Sequence, residues 1–227
     1  RTDLARAYWY GAVTYMVIAD MFDDFVVGSV KTEGAPPVGP GNMGSLYDTA
    51  IGYLNKAIAL NAGLTSALKA TKARAEFSKG IWAKNNPVNT ADPLVSSSAA
   101  AALAAEALAD LGDDFSVNLV TSSSAPETIG ALDIAGEVND RLEMRLSNTY
   151  VISSDDKRPD AIGDNNPATT VSLMDPIDNI ADPALYKHVV NFTAPGLYPE
   201  YPVVSGREMH LIIAENALAN GDNATFT

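Results

Sequence analysis

Six residues combine the shapes and groups that a polyhydroxyl ligand needs. Tyr198 and Tyr201 stand in Gly196-Leu197-Tyr198-Pro199-Glu200-Tyr201-Pro202, a turn-rich stretch outside every helical stripe. A flat aromatic face covers the apolar C–H side of a sugar ring, while amides and carboxylates around the rim take its hydroxyls. Asp164, Asn165 and Asn166 offer such groups in another loop of the same irregular region, and Trp82 stands near a helix end, where it could pack or bind. These six are the candidate ligand-binding residues. Tyr198 and Tyr201 would serve equally well as packing pins of a proline-rich loop.

Other chemistries have weaker support. Asp23-Asp24, Asp113-Asp114 and Asp155-Asp156 could supply a pair of hydrolytic carboxylates. Glycoside hydrolysis needs two carboxyls at a set separation across a sugar, and solvated turns explain these pairs more simply. The oxygen-rich loop 155–166 could hold calcium, but it lacks the order of the standard calcium loop. His188 and His210 are far apart and have no H-x-x-x-H spacing, so both read as structural and no metal site is expected. Gly39-Pro40-Gly41-Asn42-Met43-Gly44 fits G-x-G-x-x-G. A dinucleotide site also needs a preceding strand and an acid about 20 residues on. Pro36 and Pro37 break the strand and the acid is missing, so the motif reads as a loop and no cofactor is expected.

Composition narrows the classes further. The 227 residues carry 15 basic and 28 acidic side chains, a net charge of −13, which opposes general binding to nucleic acid or to anionic lipid. With no cysteine there are no disulfides, thiolate metal sites or cysteine nucleophiles. No apolar run approaches the roughly 20 residues that span a bilayer. The opening Arg1-Thr2-Asp3-Leu4 does not have the form of a secretory leader, and the chain is expected to be a trimmed piece.

Helices must position these groups. Apolar residues recur at three- and four-residue steps over 1–22, where the segment is apolar almost all round and is expected to be buried. A loop follows over 26–44. Ser45 is expected to cap a helix over 46–60, with Asn61 and Gly63 ending it. A helix over 66–84 stops before Pro87. These two are expected to form an antiparallel hairpin, with Leu54 and Ile58 facing Ala73 and Phe77 and Phe77→Ala costing about 3–5 kcal/mol. Ala73, Phe77 and Gly80 have the spacing of a tetratricopeptide second helix. An alanine-rich helix over 96–111 follows a serine run and ends at Gly112. Residues 113–205 read as a long irregular insert, with a helix near 134–146 and strands near 149–152 and 188–193. The last helix runs over 207–220, with Gly221 as its C-terminal cap. The fold class is therefore all-α: tetratricopeptide-like hairpins over 1–112, the insert, and a terminal helix over 206–221, in a single domain.

Four segments resemble the SusD/RagB family. Ala7-Tyr8-Trp9-Tyr10 with Ile18-Ala19-Asp20-Met21-Phe22-Asp23-Asp24 looks like that family's tyrosine-rich helix and the turn after it. Tyr47-Asp48-Thr49-Ala50-Ile51 with Leu54-Asn55-Lys56-Ala57-Ile58 is similar to its next helix, and Ala70-Thr71-Lys72-Ala73-Arg74-Ala75 to the one after. Ser205-Gly206-Arg207-Glu208-Met209-His210-Leu211-Ile212-Ile213-Ala214-Glu215, followed by Gly221-Asp222, is the best match. The resemblance implies a non-catalytic glycan- or nutrient-binding protein on the outer face of a bacterial outer membrane, partnered by a TonB-dependent transporter. Family members start from a lipid-bearing cysteine and run much longer. This chain is therefore expected to be a fragment or a reduced member, reaching a membrane only through an anchor it does not itself carry. The alternative is a structural or protein-interaction helical repeat without a small ligand. An acid-pair hydrolase ranks third.

Overall fold

The structure is a computed structural model that describes residues 1–28, 34–60, 62–119 and 201–226. Four helices follow one another: α1 (Thr2–Met21), α2 (Ser45–Ala59), α3 (Thr65–Asn85) and α4 (Ser98–Leu111). Two paired strands, β1 (Ser116–Leu119) and β2 (Tyr201–Ser205), lead to α5 (Gly206–Ala219) and the one-turn α6 (Asn223–Phe226). The described residues are thus mostly helical, as their apolar periodicity predicts. Arg1–Val117 and Pro202–Thr227 form one compact unit.

The strands were not expected. The sequence places strands near 149–152 and 188–193 and a helix near 134–146, all outside the described residues. The Gly206 N–H donates to the Phe115 carbonyl at 2.8 Å, tying the end of β2 to the start of β1, so the strands run antiparallel. Tyr201 therefore opens a strand, where its proline-rich surroundings suggested a loop.

Local chemistry sets the helix ends. Ser97 caps α4, its hydroxyl accepting from the Ala100 N–H at 3.2 Å, and Gly112 leaves the helix at a φ of 85°. After α5, the Gly221 N–H donates to Leu218 O at 3.0 Å and the Asp222 N–H to Ala217 O at 2.9 Å. These two bonds make a Schellman motif, and Gly221 takes the required left-handed turn at φ 73°. Ser45 does not cap α2. It is the first helical residue, and a 3-10 turn over Pro40–Asn42 runs into the helix ahead of it. Leu46 N to Met43 O and Tyr47 N to Gly44 O satisfy the donors that a capping side chain would otherwise take.

The helices pack in chain order: α1 on α2, α2 on α3, α3 on α4 and α4 on α5, with α3 also touching α1 and α5. Ala5, Ala12 and Met16 of α1 share a core with Leu46, Ala50 and Leu54 of α2. From α3 the core takes Leu68 and Ala75, with Trp82 against its edge. Ala73 is two residues from Ala75, hence roughly 160° around the helix, and lies outside this core though fully buried. The expected facing of Leu54 onto Ala73 and Phe77 is corrected: α3 meets α2 through its 68–75–82 face. Ala73 shares the opposite face with Gly80, where a methyl would stand 2.5 Å from Val95 Cγ1. Phe77 is only partly buried. Phe77→Ala is now expected to cost about 1–2 kcal/mol, below the range for a core phenylalanine. Urea denaturation checks this, and a loss above about 3 kcal/mol would restore Phe77 to the core.

The sequence also predicts α1 to be buried all round. Its inner face is buried, but Tyr10, Val17 and Met21 on the outer face are exposed.

Candidate ligand cleft

The last turns of α1 and α3 end side by side, because both helices pack antiparallel to α2. Between them lies a cleft of about 490 Å³. Asp20, Met21, Phe22 and Asp23 form one wall. Ile81, Trp82, Asn85 and Asn86 form the other, and Met43 and Tyr47 are the floor. Phe22 leaves the helix with extended backbone, φ −124° and ψ 137°, so its ring turns out of the helical stripe and is 47% exposed. It packs on Phe25, with ring centroids 5.2 Å apart.

Trp82 also borders a smaller hollow of about 280 Å³, lined by Gly41, Asn42, Asp48 and Lys79. Asp48 and Lys79 form an ion pair there at 2.5 Å. A methyl on Gly44 would stand 2.5 Å from Trp82 Cε3, so the indole lies directly over this glycine. Gly39 takes a φ of 87°, and Asp24 Oδ1 accepts from both the Gly39 and Phe25 N–H groups at 2.7 and 2.8 Å. Thus the first and last glycines of the G-x-G-x-x-G run close a loop and seat a tryptophan.

Polar contacts fix the floor. The Tyr47 hydroxyl donates to Asp20 Oδ1 at 2.5 Å. Burial, and then the Asp20 carboxylate, push the Tyr47 phenol well above its ordinary range, so it stays a protonated donor. Farther in, Arg74 Nη1 donates to the Val203 carbonyl at 2.5 Å, and Arg74 Nε lies 3.4 Å from Glu208 Oε1. Burial raises the Glu208 carboxyl, opposed by Arg74 and by the Ser205 N–H. The Ser205 hydroxyl in turn accepts from the Glu208 N–H at 3.3 Å. Ser205 and Glu208 therefore make a reciprocal capping box, visible in the sequence as Ser-x-x-Glu but not used in placing the helix start. Glu215 Oε1 accepts from the Val95 N–H at 2.8 Å, holding α5 to the segment before α4.

The cleft is rich in acceptors. Asp20 and Asp23 line it with carboxylates, and α1 and α3 end beside it with the negative ends of their dipoles. With its aromatic and apolar walls, it suits a ligand that donates hydrogen bonds and offers a flat apolar face.

Of the six sequence-predicted residues, Trp82 lies in this cleft. Tyr198, Asp164, Asn165 and Asn166 lie outside the described residues, as do Asp155, Asp156 and His188, and the backbone of Tyr201 begins β2. His210 Nε2 is 3.0 Å from Asp113 Oδ1 on the surface. Among the described residues no group of three His, Asp or Glu could hold a metal, and no helix is long and apolar enough to cross a membrane. Phe22, Asn85 and Asn86 were missed. The apolar recurrence over 1–22 carries Phe22 along with the helix, although the helix ends one residue earlier. Asn85-Asn86-Pro87 is a helix-stop signal that also marked the cleft's rim.

No family model, curated protein or solved structure matches this chain.

Proposed function

We propose that this protein is a non-catalytic capture protein for neutral glycans or similar polyhydroxyl nutrients, binding them in the cleft between α1 and α3. The observation carrying this reading is the cleft's lining: Trp82 and Phe22 as flat apolar surfaces, with Asp23, Asn85 and Asn86 around them. Rings that stack need such faces, and hydroxyl donors need such acceptors. The carboxylates and helix C-termini disfavour sulfated or uronic sugars, because like charge at close range costs binding energy.

The setting comes from the SusD/RagB resemblance: the outer face of a bacterial outer membrane, beside a TonB-dependent transporter. The resembling segments touch one another in the fold. Asp20 of the first bonds Tyr47 of the second, and Arg74 of the third pairs with Glu208 of the fourth. The polar residues that carry the likeness are thus one another's partners. The second reading, a helical scaffold without a small ligand, draws on a different observation, the apolar outer face of α1.

A glycan array followed by calorimetric titration tests the capture reading. Neutral glycans are expected to bind, and anionic ones to be excluded. Phe22→Ala and Trp82→Ala should each weaken binding roughly tenfold, the worth of one stacked ring. Asn85→Ala controls for the rim. Equal affinity in both aromatic variants, with their helical circular dichroism intact, would move the site elsewhere. No binding by any glycan would favour the scaffold.

A further inference from the structure

The cleft between α1 and α3 carries charge of one sign. Asp20 and Asp23 line it, and no lysine, arginine or histidine does. The cations on the neighbouring turns of α3 are each held by an acid outside the cleft. Lys79 meets Asp48 and Lys84 meets Asp92, both at 2.5 Å, and Arg74 meets Glu208 at 3.4 Å. Arg6 lies about four turns up α1 from Asp20, roughly 20 Å by helix rise.

Among the described residues, neither cleft carboxylate is neutralised. Asp20 Oδ1 accepts from the Tyr47 hydroxyl at 2.5 Å, a neutral donor that fixes the group and leaves its charge. Asp23 makes no hydrogen bond or ion pair among them. The negative ends of the α1 and α3 dipoles add to the same field. Two carboxylates fall short of the three or more protein ligands of a typical metal site, and among the described residues none supplies the third. An ammonium group needs no such shell. It donates three hydrogen bonds, and those to a carboxylate are charge-assisted. On a sugar ring an amine replaces a hydroxyl and projects from the rim, so the ring face stays free to stack. Phe22 and Asp23, adjacent in the chain, offer a face and an acid side by side.

We infer that the cleft selects glycans that bear a free amine, namely 2-amino-2-deoxy sugars in their deacetylated form, with Asp20 and Asp23 taking the ammonium. This selectivity rests on the capture reading and narrows its ligand class. A neutral ring makes the same stacking and hydroxyl contacts and binds more weakly, because it leaves the two carboxylates without a cation.

Calorimetric titration with β-1,4-linked oligomers of glucosamine, N-acetylglucosamine and glucose tests it, at equal chain length and at about pH 5.5, where the sugar amine is protonated. The three share ring and linkage and differ at C2, as ammonium, acetamide and hydroxyl. The glucosamine oligomer is expected to bind roughly tenfold tighter than the other two, the worth of two exposed charge pairs. Added salt should shrink that ratio. Asp23→Asn should reduce it to roughly threefold, and Asp20→Asn/Asp23→Asn should abolish it. Asparagine keeps an oxygen for the Tyr47 hydroxyl, so the floor of the cleft is retained. Asp113→Asn/Asp114→Asn removes the same net charge outside the cleft and should leave the ratio unchanged, which separates the cleft from the overall charge of −13. Equal affinity for the three oligomers, or a ratio that survives the double cleft variant, would overturn the selectivity and leave capture standing. No binding by any of the three would also overturn it, and the wider glycan array then decides capture. Phe22→Ala and Trp82→Ala report on capture itself, because they should lower all three affinities together.

Discussion

Gly206→Ala is expected to destabilise the helical unit by about 3 kcal/mol, the upper end for forcing an atom into a packed site. For a chain of this size that lowers the melting temperature by roughly 6–12 °C. The cause is backbone meeting backbone. A methyl on Gly206 would overlap the Asp113 carbonyl oxygen and crowd the carbonyl carbon at 2.7 Å. Neither atom is the loose end of a side chain, so relief requires moving the chain at a junction. The Gly206 N–H is also bonded to Phe115 O, and the residue before it, Ser205, caps α5. Relief by backbone movement therefore loosens the strand pair and the capping box together. Gly52→Ala is the control. It lies within α2 with nothing in the path of a methyl, and it should stabilise by about 0.5–1 kcal/mol through helix propensity. Thermal melts of the two variants decide the point, and a Gly206→Ala form as stable as the parent would show that the junction yields freely.

Gly206 shows where sequence reading stops. Its neighbours Ser205 and Glu208 announce a helix start by type and spacing, so the element is legible. Its own role depends on the approach of Asp113, which lies 93 residues away in the numbering and has no local signature. The same division holds elsewhere. The five long helices were readable because each repeats apolar residues at its own period. The face by which α3 meets α2 was not, because α3 is small or apolar on two sides: Leu68 and Ala75 on one, Ala73 and Gly80 on the other. Periodicity gives a stripe but does not assign it to a neighbour. The cleft was only partly legible. Trp82 stood out by type, whereas Phe22 was hidden by an apolar helix that ends one residue sooner.

Arg74→Met is expected to cost about 2 kcal/mol at neutral pH, and the cost should shrink as the pH falls. Methionine keeps most of the packing and removes the cation. Glu208 then loses its ion pair, and the Val203 carbonyl loses its donor. Breaking a buried pair costs about 3–5 kcal/mol, and the figure here is discounted because both side chains are about a third exposed. The pH dependence follows from Glu208. Burial raises its carboxyl above the ordinary 4.5, so the folded protein holds that proton more tightly than the unfolded chain does. Ionised Glu208 therefore costs stability. The cost is absent below about 4.5 and grows as the pH rises through the folded-state value. Arg74 pulls that value down, so removing it raises the carboxyl further and enlarges the neutral-pH cost. Urea denaturation at about pH 7 and about pH 5 should show the gap between variant and parent narrowing on the acid side. Adding Glu208→Gln to the variant should remove most of that pH dependence, since glutamine can still complete the capping box. A gap of equal size at both pH values would assign the whole loss to the Val203 hydrogen bond and leave the charge of Glu208 without a role.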